Sequence, residues 1–292
     1  MDVRLLGPLT ASEAEISIVP SAGKPRQILA LLALNADRMV TVSSMMEELW
    51  GLDLPRSAPT TLQTYILQLR RKLTVALAGS SRMAKDVLVT RNSGYLLSVE
   101  PTDVDARRFE RLVSRGYAVY DADAARASEL LGEALSLWRG AALADLPQGR
   151  LLEVETMRLH ESRIAALERR IDADLRLQCH HEVLGELAGL TVQFPLHENF
   201  HAQFMLALHR CGRSGRALEA FRQLRASLVD ELGLEPSGRV QRLHQAILTA
   251  DPALDPVNEF RTYGPAGQPR QPSPNGHANG HPNGHPTARS GR

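Results

Sequence analysis

A chain of 292 residues, 43% hydrophobic and 23% charged, is too long for one ordinary core and too apolar to be wholly disordered, so two folding units are expected. It has no run of eighteen apolar residues, and its start, MDVRLLGPLT, lacks a basic segment leading into an apolar stretch; a cytoplasmic protein with no membrane partner is expected. The net charge of +1 hides a local imbalance, because from Leu54 to Asn92 seven basic residues face the single acid Asp86, a charge of +6 that suits a polyanion.

In chain order, Val3–Leu9 and Ile16–Val19 are short β-rich runs, broken by Gly7-Pro8, and predict an edge hairpin. After Gly23-Lys24-Pro25 a helix buries Ile28, Leu29, Leu31, Leu32 and Leu34. A capping box from Ser44 to Glu47 predicts a short second helix stopping at Trp50-Gly51. A third helix opens at Ser57, tolerates Pro59 in its first turn and runs to about Leu73. Leu62, Ile66, Leu69 and Leu73 recur at i, i+4, i+7 and i+11 and form its buried stripe. Val87 to Val99 reads as two strands around a turn at Arg91-Asn92-Ser93-Gly94.

From Asp103 the pattern becomes near-continuous amphipathic helix, with a long helix from Glu153 to about His180 and another from Glu182 to Thr191. Glu198 to Glu231 reads as helix, turn at Cys211 to Gly215, helix, like a tetratricopeptide hairpin without that motif's tryptophan and tyrosine. Beyond Asp251 the sequence is Pro-, Gly- and Asn-rich and carries three Asn-Gly-His units, which predicts a disordered tail. The expected fold is mainly α: a winged helix-turn-helix over 1–100, an all-α tetratricopeptide-like domain over 103–251, and a tail over 252–292.

Three helices, the third polar and basic, followed by an arginine-bearing hairpin, can place a helix in the major groove of B-DNA. Gln63, Gln68 and Arg70 are the candidate base readers, since glutamine pairs bidentately with adenine and arginine with guanine. Thr60, Thr61, Thr64, Tyr65, Arg71 and Lys72 on the same helix are candidate phosphate contacts, as are Lys24 and Arg26 at the start of the first helix. Arg91 and Asn92, at the wing tip, are expected to enter a minor groove.

The run Ser57-Ala-Pro-Thr-Thr-Leu-Gln-Thr-Tyr-Ile-Leu-Gln-Leu-Arg-Arg-Lys-Leu73, the wing Arg91-Asn-Ser-Gly-Tyr95 and the opening Val3-Arg-Leu-Leu-Gly7 resemble the Streptomyces antibiotic regulatory protein family. Asp103-Val-Asp-Ala-Arg-Arg-Phe109, Leu137-Trp-Arg-Gly140 and Glu231-Leu-Gly-Leu-Glu-Pro236 resemble that family's bacterial transcriptional activation domain. The resemblance covers about residues 1 to 250. It implies an OmpR-like winged helix that binds direct repeats upstream of secondary-metabolite genes, with a homodimer on DNA, and recruits RNA polymerase through a sigma factor. It also implies major-groove readers at positions matching Gln68 and Arg70 and a minor-groove arginine matching Arg91. Gln68 departs from the wider OmpR group, which often has a basic residue there, so that group's target sequence does not carry over.

Other features are expected to be structural. Cys179 and Cys211, the only cysteines, sit in helical patterns as reduced packing residues. His197 and His201 stand at i, i+4 without further ligands at suitable spacing, so a surface or capping role is expected over a metal. Asp103 and Asp105 read as helix caps. No Walker motif, G-x-S-x-G elbow or H-E-x-x-H occurs, and no enzyme, cofactor or catalytic residue is expected. Two alternatives stand beside a DNA-binding activator: a helical protein-binding scaffold with a vestigial winged helix, and a ligand-gated repressor with an enclosed apolar pocket.

Overall fold

The computed structural model describes residues 1–255; the Asn-Gly-His units lie outside the described residues. Strands β1 (Asp2–Arg4), β2 (Thr10–Glu13) and β3 (Ile16–Ser17) form an antiparallel meander, one strand more than the expected hairpin. Helices α1 (Gly23–Leu34), α2 (Val42–Trp50) and α3 (Ala58–Ala76) follow, with the two-residue strand β4 (Val40–Thr41) before α2. A helical turn, α4 (Ala84–Val87), leads into the wing strands β5 (Leu88–Arg91) and β6 (Gly94–Leu97). The wing sheet has order β4-β6-β5.

The second helix starts earlier than its capping-box signal. Its N-cap is Thr41, whose Oγ1 accepts from Ser44 N–H at 3.1 Å, so Ser44 is already inside the helix. Thr41 also pairs with Gly94 in the sheet, and Val42 N–H donates to Ser93 O at 2.9 Å. The wing turn is thereby pinned to the start of α2. A Cβ on Gly94 would run into the Val40 carbonyl, so the approach of β4 to β6 requires glycine there.

The helical part comprises α5 (Asp105–Val119), α6 (Ala124–Ser136), α7 (Arg150–Arg176), α8 (His180–Gln193), α9 (Glu198–Arg210), α10 (Ser214–Leu232) and α11 (Gly238–Leu248). They pack as successive antiparallel neighbours, with α5 on α6, α6 on α7, α8 on α9 and α9 on α10, as short connections dictate. Gly212, with a positive φ of 73°, sits in the turn between α9 and α10. Cys211 caps the end of α9 and Cys179 precedes α8, so both free thiols lie at partly exposed helix ends rather than inside helices. His197 is the N-cap of α9 and stacks on Phe200. No cluster of metal-ligating side chains occurs among the described residues, and no helix among them is long and apolar enough to cross a membrane.

Met1–Leu254 form one compact unit. One hydrophobic core runs without a break from Val3, through Ile28, Leu62 and Leu97, to Phe109, Leu143 and Ala166. Two smaller clusters hold α7 to α9 and α9 to α11 together. The winged helix and the first half of the helical region therefore share a core, where the sequence pattern suggests a boundary between 100 and 103.

Candidate nucleic-acid interface

The buried stripe of α3 determines what the helix shows outside. Leu62, Ile66, Leu69 and Leu73 are each at most 2% exposed. Two residues further along a helix is a rotation of about 200°, so the positions that point directly away from this stripe lie two residues from it. They are Thr60, Thr64, Leu67, Gln68, Arg71 and Val75, and all six are exposed. Gln63 is exposed to one side of this outward line. The result is a ridge of hydroxyls, amides and one guanidinium, with Leu67 and Val75 among them, along the solvent face of a 19-residue helix. Thr64 Oγ1 donates to Thr60 O at 3.1 Å.

Arg70 does not belong to this ridge. It follows Leu69 directly, is half-buried, and turns toward the wing. Its Nη2 donates to Leu88 O at 2.8 Å and to Thr90 Oγ1 at 2.7 Å, and its Nε donates to Leu88 O at 3.3 Å. Of the expected base reader Arg70 and the expected phosphate contact Arg71, helical phase puts Arg71 outward and gives Arg70 to strand β5. Tyr65, an expected phosphate contact, is half-buried and packs against the edge of the main core. Thr61 and Lys72 are half-buried on the flanks.

The expected phosphate clamps on α1 are placed elsewhere as well. Arg26 pairs with Asp145 in the loop before α7. Lys24 sits with its Nζ 4.6 Å from the centre of the Trp50 ring, a cation–π contact. Both are engaged within the fold. Arg91 and Asn92 are solvent-facing at the β5–β6 turn.

The residues that sequence reasoning missed join the two halves. Glu48, 3% exposed on α2, accepts from Gly149 N–H at 2.6 Å, Leu151 N–H at 2.9 Å and Leu152 N–H at 3.1 Å. It satisfies the free donors at the start of α7, 100 residues away in sequence. A Cβ on Gly149 would clash with the Glu48 backbone carbonyl. Asp105, read as a cap, instead accepts from Leu5 N–H at 2.7 Å and Leu6 N–H at 3.0 Å. Asp145 accepts from Leu9 N–H at 2.8 Å besides pairing with Arg26. Arg107 donates to the Leu34 and Ala36 carbonyls at the end of α1. In a sequence such polar residues on amphipathic helices look like solvent-facing ones, and no local spacing marks them otherwise.

Burial raises the Asp105 carboxyl above the usual aspartate range, opposed by its backbone amide donors and by Arg139. A raised folded-state value means that the native state keeps this proton more readily than the unfolded chain. The associated stability is present in acid and is lost as pH climbs from about 4 through the raised value. Asp105→Asn removes the titration. Denaturant midpoints of both proteins measured across that window should show the wild type losing ground to the variant as pH rises. A difference that stays flat, or grows with pH, would contradict this sign.

Two family models match in succession: "Transcriptional regulatory protein, C terminal" over residues 18–97 and "Bacterial transcriptional activator domain" over residues 104–248. The chain is 52% identical over 257 residues to the regulatory protein DnrI of Streptomyces peucetius, covering 87% of this chain and 94% of that protein. It is 37% identical over 254 residues to the transcriptional regulator RedD of Streptomyces coelicolor, covering 87% of this chain and 72% of the relative. Among solved structures, Mycobacterium tuberculosis EmbR in complex with a low affinity phosphopeptide superimposes with a TM-score of 0.80 at 30% identity, covering 86% of this chain and 65% of EmbR. The order of the two matched regions, the winged-helix geometry around α3 and the near-complete span of DnrI agree: the chain belongs to the Streptomyces antibiotic regulatory protein family of DNA-binding transcriptional regulators, an OmpR-like winged helix joined to a bacterial transcriptional activator domain.

Proposed function

We propose that this regulator activates secondary-metabolite biosynthesis genes by binding direct repeats in their promoters, two copies of the chain per site, and by recruiting RNA polymerase through a sigma factor. The observation that carries this reading is the outward face of α3, with Thr60, Gln63, Thr64, Gln68 and Arg71 all exposed, beside the Arg91 wing. In the proposed complex Gln63, Gln68 and Arg71 read base edges in the major groove. Thr60, Thr61, Thr64 and Lys72 hold phosphates. Arg91 and Asn92 reach into the neighbouring minor groove, whose potential is strongest where A·T pairs narrow it. Arg70 acts as a positioning residue, bracing α3 against β5 so that helix and wing meet the duplex at a fixed distance. Residues 1–100 supply the DNA contacts and residues 103–251 the surface for polymerase. The family relationship to DnrI and RedD supports the assignment to antibiotic pathways.

The test is a titration of the full chain onto duplexes selected from a random pool, carrying one or two copies of the selected repeat. Two copies should bind cooperatively, and affinity should fall steeply with salt, as phosphate neutralisation requires. Arg91→Ala should lose more affinity on sites flanked by A·T pairs than on the same sites flanked by G·C pairs. Weak binding that does not discriminate among duplexes would overturn the proposal, and equal loss on both flanks would remove Arg91 from the minor groove.

A further inference from the structure

At its middle the outward ridge of α3 holds an apolar residue that neither folding nor phosphate chemistry accounts for. Leu67 is 49% exposed, between Thr64 and Arg71, and the other apolar member of this face, Val75, lies in the last turn of the helix. It belongs neither to the main core nor to the apolar side chains packed around that core. Its neighbours in sequence, Ile66 and Leu69, are buried. A single exposed leucine is ordinary on a protein surface, so exposure alone says little. Its position is what matters: on a helix read as lying in the major groove, it stands at mid-length, about one turn from Thr64 and from Arg71. The apolar feature that a major groove offers on its base edges is the thymine C5-methyl group. A leucine there gains by covering such a methyl and loses against a cytosine, whose N4 amino group needs a hydrogen-bond acceptor that leucine lacks.

Resting on the DNA-binding reading above, we propose that Leu67 is a specificity-determining residue that selects thymine by packing against its methyl group. Arg71 lies four residues on, a rise of about 6 Å along the helix, comparable to two base steps at about 3.4 Å each. The thymine selected by Leu67 is therefore placed within about two base pairs of the guanine that Arg71 takes. Leu67 and Arg71 together set a short T/G element as the centre of each half-site, with Gln63 and Gln68 reading to either side.

The experiment removes the methyl from the DNA rather than from the protein. In a duplex selected with the full chain, each thymine in turn is replaced by deoxyuracil, which pairs as thymine does but lacks the methyl. The wild-type protein should lose about fourfold in affinity at one position of each repeat, the factor expected for one buried methyl, and little elsewhere. Leu67→Ala should bind the thymine and uracil duplexes equally, with an affinity close to that of the wild type on uracil. Placing 5-methylcytosine for cytosine at that position should recover part of the wild-type affinity, but not that of Leu67→Ala. Leu67 is solvent-exposed, and an unchanged circular-dichroism melt confirms that the variant folds. Specific binding with no uracil-sensitive position, or a Leu67→Ala variant that still distinguishes thymine from uracil, overturns the methyl contact and leaves the DNA-binding reading standing. Failure to select any sequence at all overturns both.

Discussion

Glu48→Ala is expected to lower the stability of the whole chain by about 3 kcal/mol, with no change in any residue exposed on α3. The carboxylate accepts three backbone N–H groups of α7 at 2.6, 2.9 and 3.1 Å. Removing it leaves donors in a part-buried junction without their acceptor, at about 1–3 kcal/mol for a buried donor that no water reaches. It also removes a negative charge from the N-terminus of a 27-residue helix, where such a charge stabilises the helix macrodipole. Glu48→Gln keeps one carbonyl acceptor and should fall between the two. Denaturant unfolding of the three proteins checks the order, and a loss below about 1 kcal/mol for Glu48→Ala would show that water replaces the carboxylate at the start of α7.

Cutting the chain after residue 100 should cost still more. The fragment 1–100 loses Val104, Phe109, Leu143 and Leu152, all 0% exposed, from the core that it shares with the helical region. Each removed contact of this kind exposes apolar area worth roughly 25 cal/mol per Å². The same cut strips the acceptors from Val3, Leu5, Leu6 and Leu9, which donate to Asp103 O, Asp105 and Asp145. The expected result is a loss on the order of 5 kcal/mol or more, a range reached only when a core is opened, seen as a broad melt without a cooperative transition. A fragment that melts within a few degrees of the full chain would mean that the shared core contributes little to the winged helix.

These two expectations also mark where the sequence was legible. The i, i+4, i+7, i+11 stripe of α3 and the turn at Arg91 to Gly94 are short-range signals, and both elements occur where the pattern puts them. The outward face is legible in kind, and its phase comes from arithmetic: about 200° per two residues selects Arg71, whereas residue chemistry and the family resemblance point to Arg70. Strand β4, two residues long, has no periodicity to detect. The N-cap of α2 was misplaced by three residues because Thr41 and Ser44 are both good capping residues, and the sheet pairing of Thr41 with Gly94 decides between them. Glu48, Asp105 and Asp145 were illegible for a different reason. Their partners lie about a hundred residues away, and a carboxylate that caps a distant helix has the same sequence neighbourhood as one that faces water.

The central claim is that the outward ridge of α3 reads base pairs while Arg70 only braces it. It is tested most directly by titrating the full chain, Gln68→Ala, Arg70→Ala and Arg71→Ala against every single-base variant of the selected repeat at two salt concentrations. Gln68→Ala and Arg71→Ala should each cost about 1–3 kcal/mol and relax the preference at a particular base pair. Arg70→Ala, which releases the Leu88 carbonyl and the Thr90 hydroxyl, should weaken binding to all variants by a similar factor and leave the base-preference profile unchanged. If instead Arg70→Ala relaxes one base position and Arg71→Ala leaves the profile intact, α3 enters the groove on its wing-side flank, and the ridge of Thr60, Thr64, Leu67 and Arg71 is not the reading surface.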